Sequence, residues 1–388
     1  MAGSDCLDIG SRQSDGWAVI ISNLSKTIRF CRESPDQEIF SETTDFSDKS
    51  FSPLVTVVIT TYGDCSTLLR AIESVLKQSY KSIEIIVVDD NGDRGMYRKA
   101  TEKIMGRYEK DRRIRYICHP KNLNGSAARN TGIGHSNGKY LTFLDNDDFM
   151  LSDRIANAVK TLEEVKADAY FCDVLLMAQG RYAKVHGFCG SELVWKDLLF
   201  SASCMGTGSN LFLRRSAIDE TGSFDTSFKR NQDVEYMLRF LLNHKSIWRP
   251  DLDLVKGESA TSNEQSYESY AQTKAHFDVT FASLISSLDE EEEKKRLVCR
   301  ETELLSVAIR SCNERAVQCA LKRLADLGRP VGMAQKAMIG LKCKRRHAPL
   351  MIEKLMRLLR HYSVRRRLSA SDRISVSELA SLAVTPEC

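Results

Sequence analysis

An α/β fold is what this chain predicts: a mostly parallel sheet flanked by helices, followed by an α-helical C-terminal region. Three observations lead there. The segment from Leu54 to Asp90 reads strand, turn, helix, strand. Its strand runs are continuous and apolar, as parallel strands covered on both faces are. Beyond about Gln265 glycine thins, strand-like runs stop and helical periodicity takes over.

The elements follow in order. Residues 1–50 are a polar, turn-rich N-terminal extension around one short apolar segment, Trp17 to Ile21, and carry no chemical motif. Val55, Val57, Val58 and Ile59 make a β-branched first strand; Leu68, Leu69, Ile72, Val75 and Leu76 recur at helical spacing; Ile83 to Val88 is the next strand. Thr60, Thr61 and Tyr62 leave the first strand and Asp89 and Asp90 the second. Right-handed crossover puts both groups at the carboxyl-end edge where open α/β sheets bind ligands. Tyr140 to Leu144 predicts a third strand arriving there, Asp168 to Met177 a further one, and Trp195 to Leu199 a helix. A catalytic domain over 51–264 and a helical basic region over 265–388 follow, the latter with helices at Leu297–Ile309, Ala316–Leu327 and Met351–Leu359.

Asp145, Asn146, Asp147 and Asp148 come directly after Tyr140–Leu144, so three carboxylates sit where a buried strand surfaces. A turn or helix N-cap accounts for such residues on its own. Hard divalent cations such as Mg2+ or Mn2+ also want oxygen ligands and leave positions for phosphate oxygens, so the cluster equally suits a metal–diphosphate site. Arg129, in GSAARNTGIG, could reach a diphosphate or pair with a neighbouring carboxylate. Gly132, Gly134 and Gly138 tempt a dinucleotide-binding reading, which fails because they precede a strand instead of following one. Asp233, in NQDVEY, is either the N-cap of the helix carrying Val234, Met237, Leu238, Phe240 and Leu241 or a general base. Trp195 could stack on a ring ligand or simply cover core.

ITTYGD, LKQSY, IIVVDDNGD, NLNGSAARNTGIGHSNGKYLTFLDNDD and TGSFDTSFKRNQDVEYMLR, in that order between Pro53 and Arg239, resemble the family 2 glycosyltransferases, inverting enzymes of GT-A fold with a Rossmann-like sheet. The resemblance implies a nucleotide-sugar donor, a divalent metal and single displacement at the anomeric carbon. It implies that Thr60 and Tyr62 sit at base and ribose, that Asp90 accepts the uracil N–H with Asp89 beside it, and that Asp145 and Asp147 are the acids of a D-x-D element, Asp147 being the direct metal ligand. Asp148 is then a supporting acid. Asp233 matches the second member of an acidic pair whose first member is here Gln232. Chemistry asks for the same residue types. A metal bridging the leaving diphosphate stabilises its charge, and an acceptor hydroxyl needs a base.

Composition fits a cytoplasmic enzyme: 388 residues, 42% hydrophobic and 28% charged, bury a sizeable core. The twelve cysteines are scattered without C-x-x-C or zinc spacing and read as reduced. No secretion signal or bilayer-spanning run is visible. A net charge of +4 is concentrated near the end, where Lys342, Lys344, Arg345, Arg346, Lys354, Arg357, Arg360, Arg365, Arg366 and Arg367 accompany apolar residues. Residues 342–367 are read as a peripheral contact with the anionic inner face of a cell membrane or as a solvated face. Nucleic acid ranks last, since Tyr362 is nearly the one aromatic there and no module is recognisable.

The resemblance therefore points to a metal-dependent hexosyltransferase that moves a sugar, from UDP in the simplest case, to a saccharide or lipid-linked saccharide in bacterial cell-surface polysaccharide synthesis. A sugar-nucleotide pyrophosphorylase would need a glycine-rich loop where this chain has TTYGDC. A catalytically silent scaffold of the same fold would not need Asp90, Asp145, Asp147 and Asp233.

Overall fold

The structure, a computed structural model, describes residues 52–93, 95–178, 181–201, 204–257, 266–332, 339 and 363–366; 178, 181–185 and 363–366 are described as backbone alone. Expectations for residues 1–50, for Met351–Leu359 and for most of 342–367 lie outside the described residues.

Strands and helices alternate through the first part: β1 (Val55–Thr61), α1 (Leu68–Leu76), β2 (Ile83–Asp89), α2 (Met96–Met105), β3 (Ile114–Cys118), α3 (Gly125–Gly134) and β4 (Tyr140–Asp145). The four strands run parallel in the order β4-β1-β2-β3. Both faces are covered. Val55, Val57 and Ile59 pack with Leu68, Ile72 and Val75 in one core, while Val58 joins Ile86, Ala128 and Phe143 in another. That two-sided burial explains the unbroken apolar runs, each such side chain contributing roughly 1.5–3 kcal/mol. Gly132 lets α3 lie close on β1, since a Cβ there would stand 2.2 Å from Val58 Cγ1. Gly138 likewise closes on backbone, 2.6 Å from Thr56 N for the same hypothetical atom, so these glycines serve packing.

The sheet then turns mixed. After β5 (Phe149–Met150) and α4 (Arg154–Val165) come β6 (Ala169–Ala178), β7 (Arg181–Phe188), α5 (Trp195–Phe200), β8 (Phe212–Arg214), α6 (Arg215–Thr221), α7 (Gln232–Phe240) and β9 (Ser246–Lys256). Strand β8 bridges β4 and β6, antiparallel to both, and β6 also pairs parallel with β9.

Helices α8 (Tyr267–Thr280), α9 (Ala282–Ile285), α10 (Glu290–Arg310) and α11 (Glu314–Asp326) follow. Asp289 and Glu292 form a capping box that starts α10: Glu292 N–H donates to Asp289 Oδ1 at 2.8 Å and Asp289 N–H to Glu292 Oε2 at 3.3 Å. Buried Glu303 of α10 anchors this region to the sheet domain. It pairs with Lys274 at 2.6 Å and accepts from Tyr270 Oη at 2.9 Å and from Ser201 Oγ, just after α5, at 3.1 Å. One element departs from the helical expectation: β10 (Ser363–Arg366) runs antiparallel to β7. Consecutive arginines suit an edge strand, where charge discourages further pairing. Among the described residues no helix is long and apolar enough to cross a membrane.

Candidate active site

Parallel pairing brings the chemistry to one edge. Thr60 lies opposite Asp145 across β1 and β4, and Thr61 lies opposite Asp89 across β1 and β2. Thr60 Oγ1 donates to Asp145 Oδ1 at 3.3 Å, and Arg129 Nη2, from α3, donates to the same oxygen at 2.9 Å. Arg129 Nη1 donates to Gln232 Oε1 at 3.0 Å. One nearly buried guanidinium thus joins the acid at the end of β4 to the residue beside Asp233. Arg129 pairs with a carboxylate through one nitrogen only, not as a bidentate fork.

Just past the end of β1, Tyr62 is 64% exposed. Asp89 and Asp90 are buried and already engaged. Asp89 accepts from Tyr116 Oη at 2.6 Å and from Asn91 N at 2.9 Å, and pairs with Arg98 at 3.2 Å. Asp90 contacts His119 Nδ1 at 2.7 Å and accepts from Asn122 Nδ2 at 2.8 Å and from the N–H groups of Leu123 at 2.8 Å and Asn124 at 3.0 Å. A carboxylate has about four lone-pair sites, so Asp90 is filled by the loop it orders.

The acid cluster forms a turn, with Asp148 N–H donating to Asp145 O at 3.0 Å. Asn146 Nδ2 donates to Asp64 O at 2.8 Å, and Arg70 Nη2 donates to Asp147 O at 3.0 Å, which secures the turn from α1. Asp148 is buried, accepting from Thr207 Oγ1 at 2.9 Å and from Gly257 N at 3.0 Å. Burial, and then the charges of Asp145 and Asp147, push its carboxyl up to about 7.

Asp233 is the second residue of α7, whose N-cap is Asn231 in the left-handed conformation, φ 55°. It is therefore not the cap. Its Oδ1 accepts from Val234 N–H at 3.0 Å. Burial raises its pKa most, the Arg129 charge opposes that, and Asp145 adds to it. Asp233, Arg129 and Asp145 line a cavity of about 840 Å³ together with Thr207, Gly208, Lys256 and, from the helical region, Tyr270 and Arg310.

Several of these escaped sequence reasoning. Ser209, whose Oγ accepts from Asp145 N–H at 3.0 Å, is one. Lys256, Tyr270 and Arg310 carry no local signature and arrive by tertiary packing. Trp195, by contrast, packs against the core and does not line the cavity.

Residues 56–222 match the family model described as glycosyl transferase family 2. The chain carries a family 2 glycosyltransferase domain. It is 34% identical over 140 residues to an uncharacterized glycosyltransferase of Haemophilus influenzae, covering 36% of this chain and 50% of that one. It is 27% identical over 199 residues to the amylovoran biosynthesis glycosyltransferase AmsB of Erwinia amylovora, covering 50% and 64%. The chain thus spans about half the length of the Haemophilus relative. Among solved structures it is similar to the mannosyltransferase PcManGT from Pyrobaculum calidifontis in complex with GDP-Man and Mn2+, with TM-score 0.51 and 17% identity, covering 88% of this chain and 92% of that one. The fold is GT-A.

The family 2 domain implies a divalent cation, and the acids can be tested against it. Among the described residues no group of three or more His, Cys, Asp or Glu side chains is placed to hold a metal ion by protein ligands alone. Mg2+-type ions are usually held by one or two carboxylates, with water and substrate phosphates completing the shell. Asp145 and Asp147 fit that pattern. Burial is the larger cause of the raised Asp148 carboxyl, and the charges of Asp145 and Asp147 add to it, so both carboxylates lie close to Asp148 at this turn.

Proposed function

We propose that the protein is an inverting, metal-dependent glycosyltransferase that moves a sugar from a nucleotide-diphosphate donor, a UDP-sugar, to a hydroxyl of a saccharide or lipid-linked saccharide. The observation that carries this reading is the Arg129 bridge, which sets the strand-end acid Asp145 and the helix-start acid Asp233 around one cavity.

In this reading the nucleoside lies at the ends of β1 and β2. Thr60 and Tyr62 face it, and Asp89 and Asp90 serve it through the loops they hold; a base N–H would have to displace one of the four donors on Asp90. Asp147, with Asp145, would hold Mn2+ or Mg2+. Bound there, the ion supplies electrostatic stabilisation of the leaving group. Arg129 keeps Asp145 in register and adds positive charge beside the leaving oxygens. Asp233 takes the acceptor proton as the new bond forms from the opposite side, which inverts the anomeric centre. Its raised pKa makes it a stronger base once ionised. Gln232 leaves Asp233 without a second acid at its side.

Residues 51–264 would then be the catalytic domain and the helical region the acceptor side, working at the cytoplasmic face of the membrane with 342–367 as a peripheral contact. The proposed setting is cell-surface polysaccharide synthesis; AmsB, named for amylovoran biosynthesis, is a relative with a biosynthetic role. A panel of nucleotide sugars, scored for Mn2+-dependent hydrolysis and for protection against melting, tests the reading. A UDP-sugar should be turned over with metal and not with chelator; no response to any nucleotide sugar would reject it.

A further inference from the structure

Among the described residues, the cavity around Asp233 is lined by more cationic side chains than carboxylates. Besides Arg129 and Lys256 it is lined by Lys229 and Arg230, on the approach to α7, and by Arg310 of α10. Asp145 and Asp233 are the carboxylates lining it among the described residues, and Arg129 is already paired with Asp145 at 2.9 Å. Gln232 removes one more negative charge, offering Arg129 an amide oxygen where an acid would have neutralised it. Resting on the transferase reading, we infer that the acceptor is an anion, carrying a phosphate or carboxylate near the hydroxyl that reacts, and that Arg310, with Lys229 and Arg230, recognises it.

The nucleoside does not account for these charges. Thr60, Tyr62, Asp89 and Asp90, the nucleoside-side residues, do not line this cavity, whereas Arg129 and Asp145, on the diphosphate side, do, so it takes the transferring end of the donor and, toward Tyr270 and Arg310, the acceptor. In the transferase reading Arg129 meets the diphosphate, beside the cation that Asp145 and Asp147 would hold. Arg310 comes from a helix outside the stretch 56–222 that matches the family, at the end of α10, where its Nη1 donates to Ser306 Oγ at 2.8 Å. A guanidinium matches phosphate and carboxylate through paired, charge-assisted N–H groups, whereas the hydroxyls of a neutral sugar accept the same bonds without the opposite charge. Tyr270 and Val307, on the same wall, offer an apolar surface to a pyranose face. Tyr270 is fixed for this by its hydrogen bond to Glu303 at 2.9 Å.

The test uses the full-length protein saturated with UDP and Mn2+, and measures equilibrium binding of three matched probes: methyl glucoside, its 6-phosphate, and methyl glucuronide. At least one anionic probe should bind about tenfold or more tightly than the neutral one, the scale of one charged hydrogen-bonded contact. The phosphate and carboxylate arms identify which group is read. Arg310→Gln should erase the preference, Arg310→Lys should restore part of it, and both should leave UDP affinity unchanged. Inorganic phosphate alone should compete with the anionic probes. Equal binding of the three probes, failure of both anionic probes to bind, or an anionic preference that survives Arg310→Gln would overturn the inference. Intact donor hydrolysis in those cases would leave the transferase reading standing; loss of UDP binding by the unsubstituted protein would mark the failure of that reading instead.

Discussion

Arg129 Nη2 stands 2.9 Å from Asp145 Oδ1, an ion pair with the guanidinium nearly buried and the carboxylate partly open to the cavity. Its other terminal nitrogen reaches Gln232. Strand β4 and helix α7 are more than eighty residues apart in the chain, and this guanidinium fixes the distance between what they carry.

A single-headed cation cannot replace it. Arg129→Lys keeps the charge but can hold only one of the two partners in the fork geometry. Donor hydrolysis should fall about tenfold, the scale of one lost charged hydrogen bond, with the melting temperature nearly unchanged. Steady-state kinetics beside a thermal melt checks this; unaltered kinetics would make the bridge incidental.

Asp147→Ala addresses the cation. If Asp147 holds it against the diphosphate, turnover should drop by roughly 10²-fold or more, and Mn2+ should no longer tighten UDP binding, while the fold persists. Calorimetric titration of UDP with and without Mn2+ separates these effects. A variant that keeps full activity in chelator would remove the metal from the account.

Gln232→Glu tests the electrostatics around the base. The Asp233 pKa is already raised by burial, and a base works only when ionised, so activity should fall as pH drops through that raised value. A second carboxylate next door opposes ionisation further. The acid limb of the pH–kcat/KM profile should therefore move to higher pH in the variant; a shift to lower pH, or none, would contradict the assignment.

The same residues explain what was legible in the sequence. β1, β2 and β4 could be read because burial on both faces leaves continuous runs such as Val55–Ile59, and parallel pairing then forces Thr60, Asp89 and Asp145 to one edge. The Asp233 position was visible from its motif, but not its place behind an Asn231 cap, which depends on a backbone conformation that the residue type does not announce. Lys256 and Arg310 were out of reach because nothing periodic or local marks a side chain whose role is set by β9 and α10 meeting across a cavity. Ser363–Arg366 was missed for a similar reason, since a strand four residues long, two of them arginine, is defined by the β7 edge it joins.

Truncation from Lys342 probes that edge together with the basic stretch. Removing β10 bares β7, so the truncated protein should be less soluble, while donor hydrolysis survives. Pelleting of the intact protein with anionic vesicles should exceed that with neutral ones and weaken as salt rises, because the attraction decays within a Debye length. Equal, negligible pelleting with both would reject the membrane contact.

Asp233→Asn bears most directly on the mechanism. The amide keeps the shape of the side chain and can still accept from Val234 N–H, but cannot take a proton. With the donor and acceptor that the wild-type protein uses, the rate of sugar transfer should fall by roughly 10²-fold or more, while the dissociation constant of UDP in Mn2+ stays near the wild-type value. Transfer at the wild-type rate with UDP binding intact would show that Asp233 only shapes the start of α7, and would contradict the account.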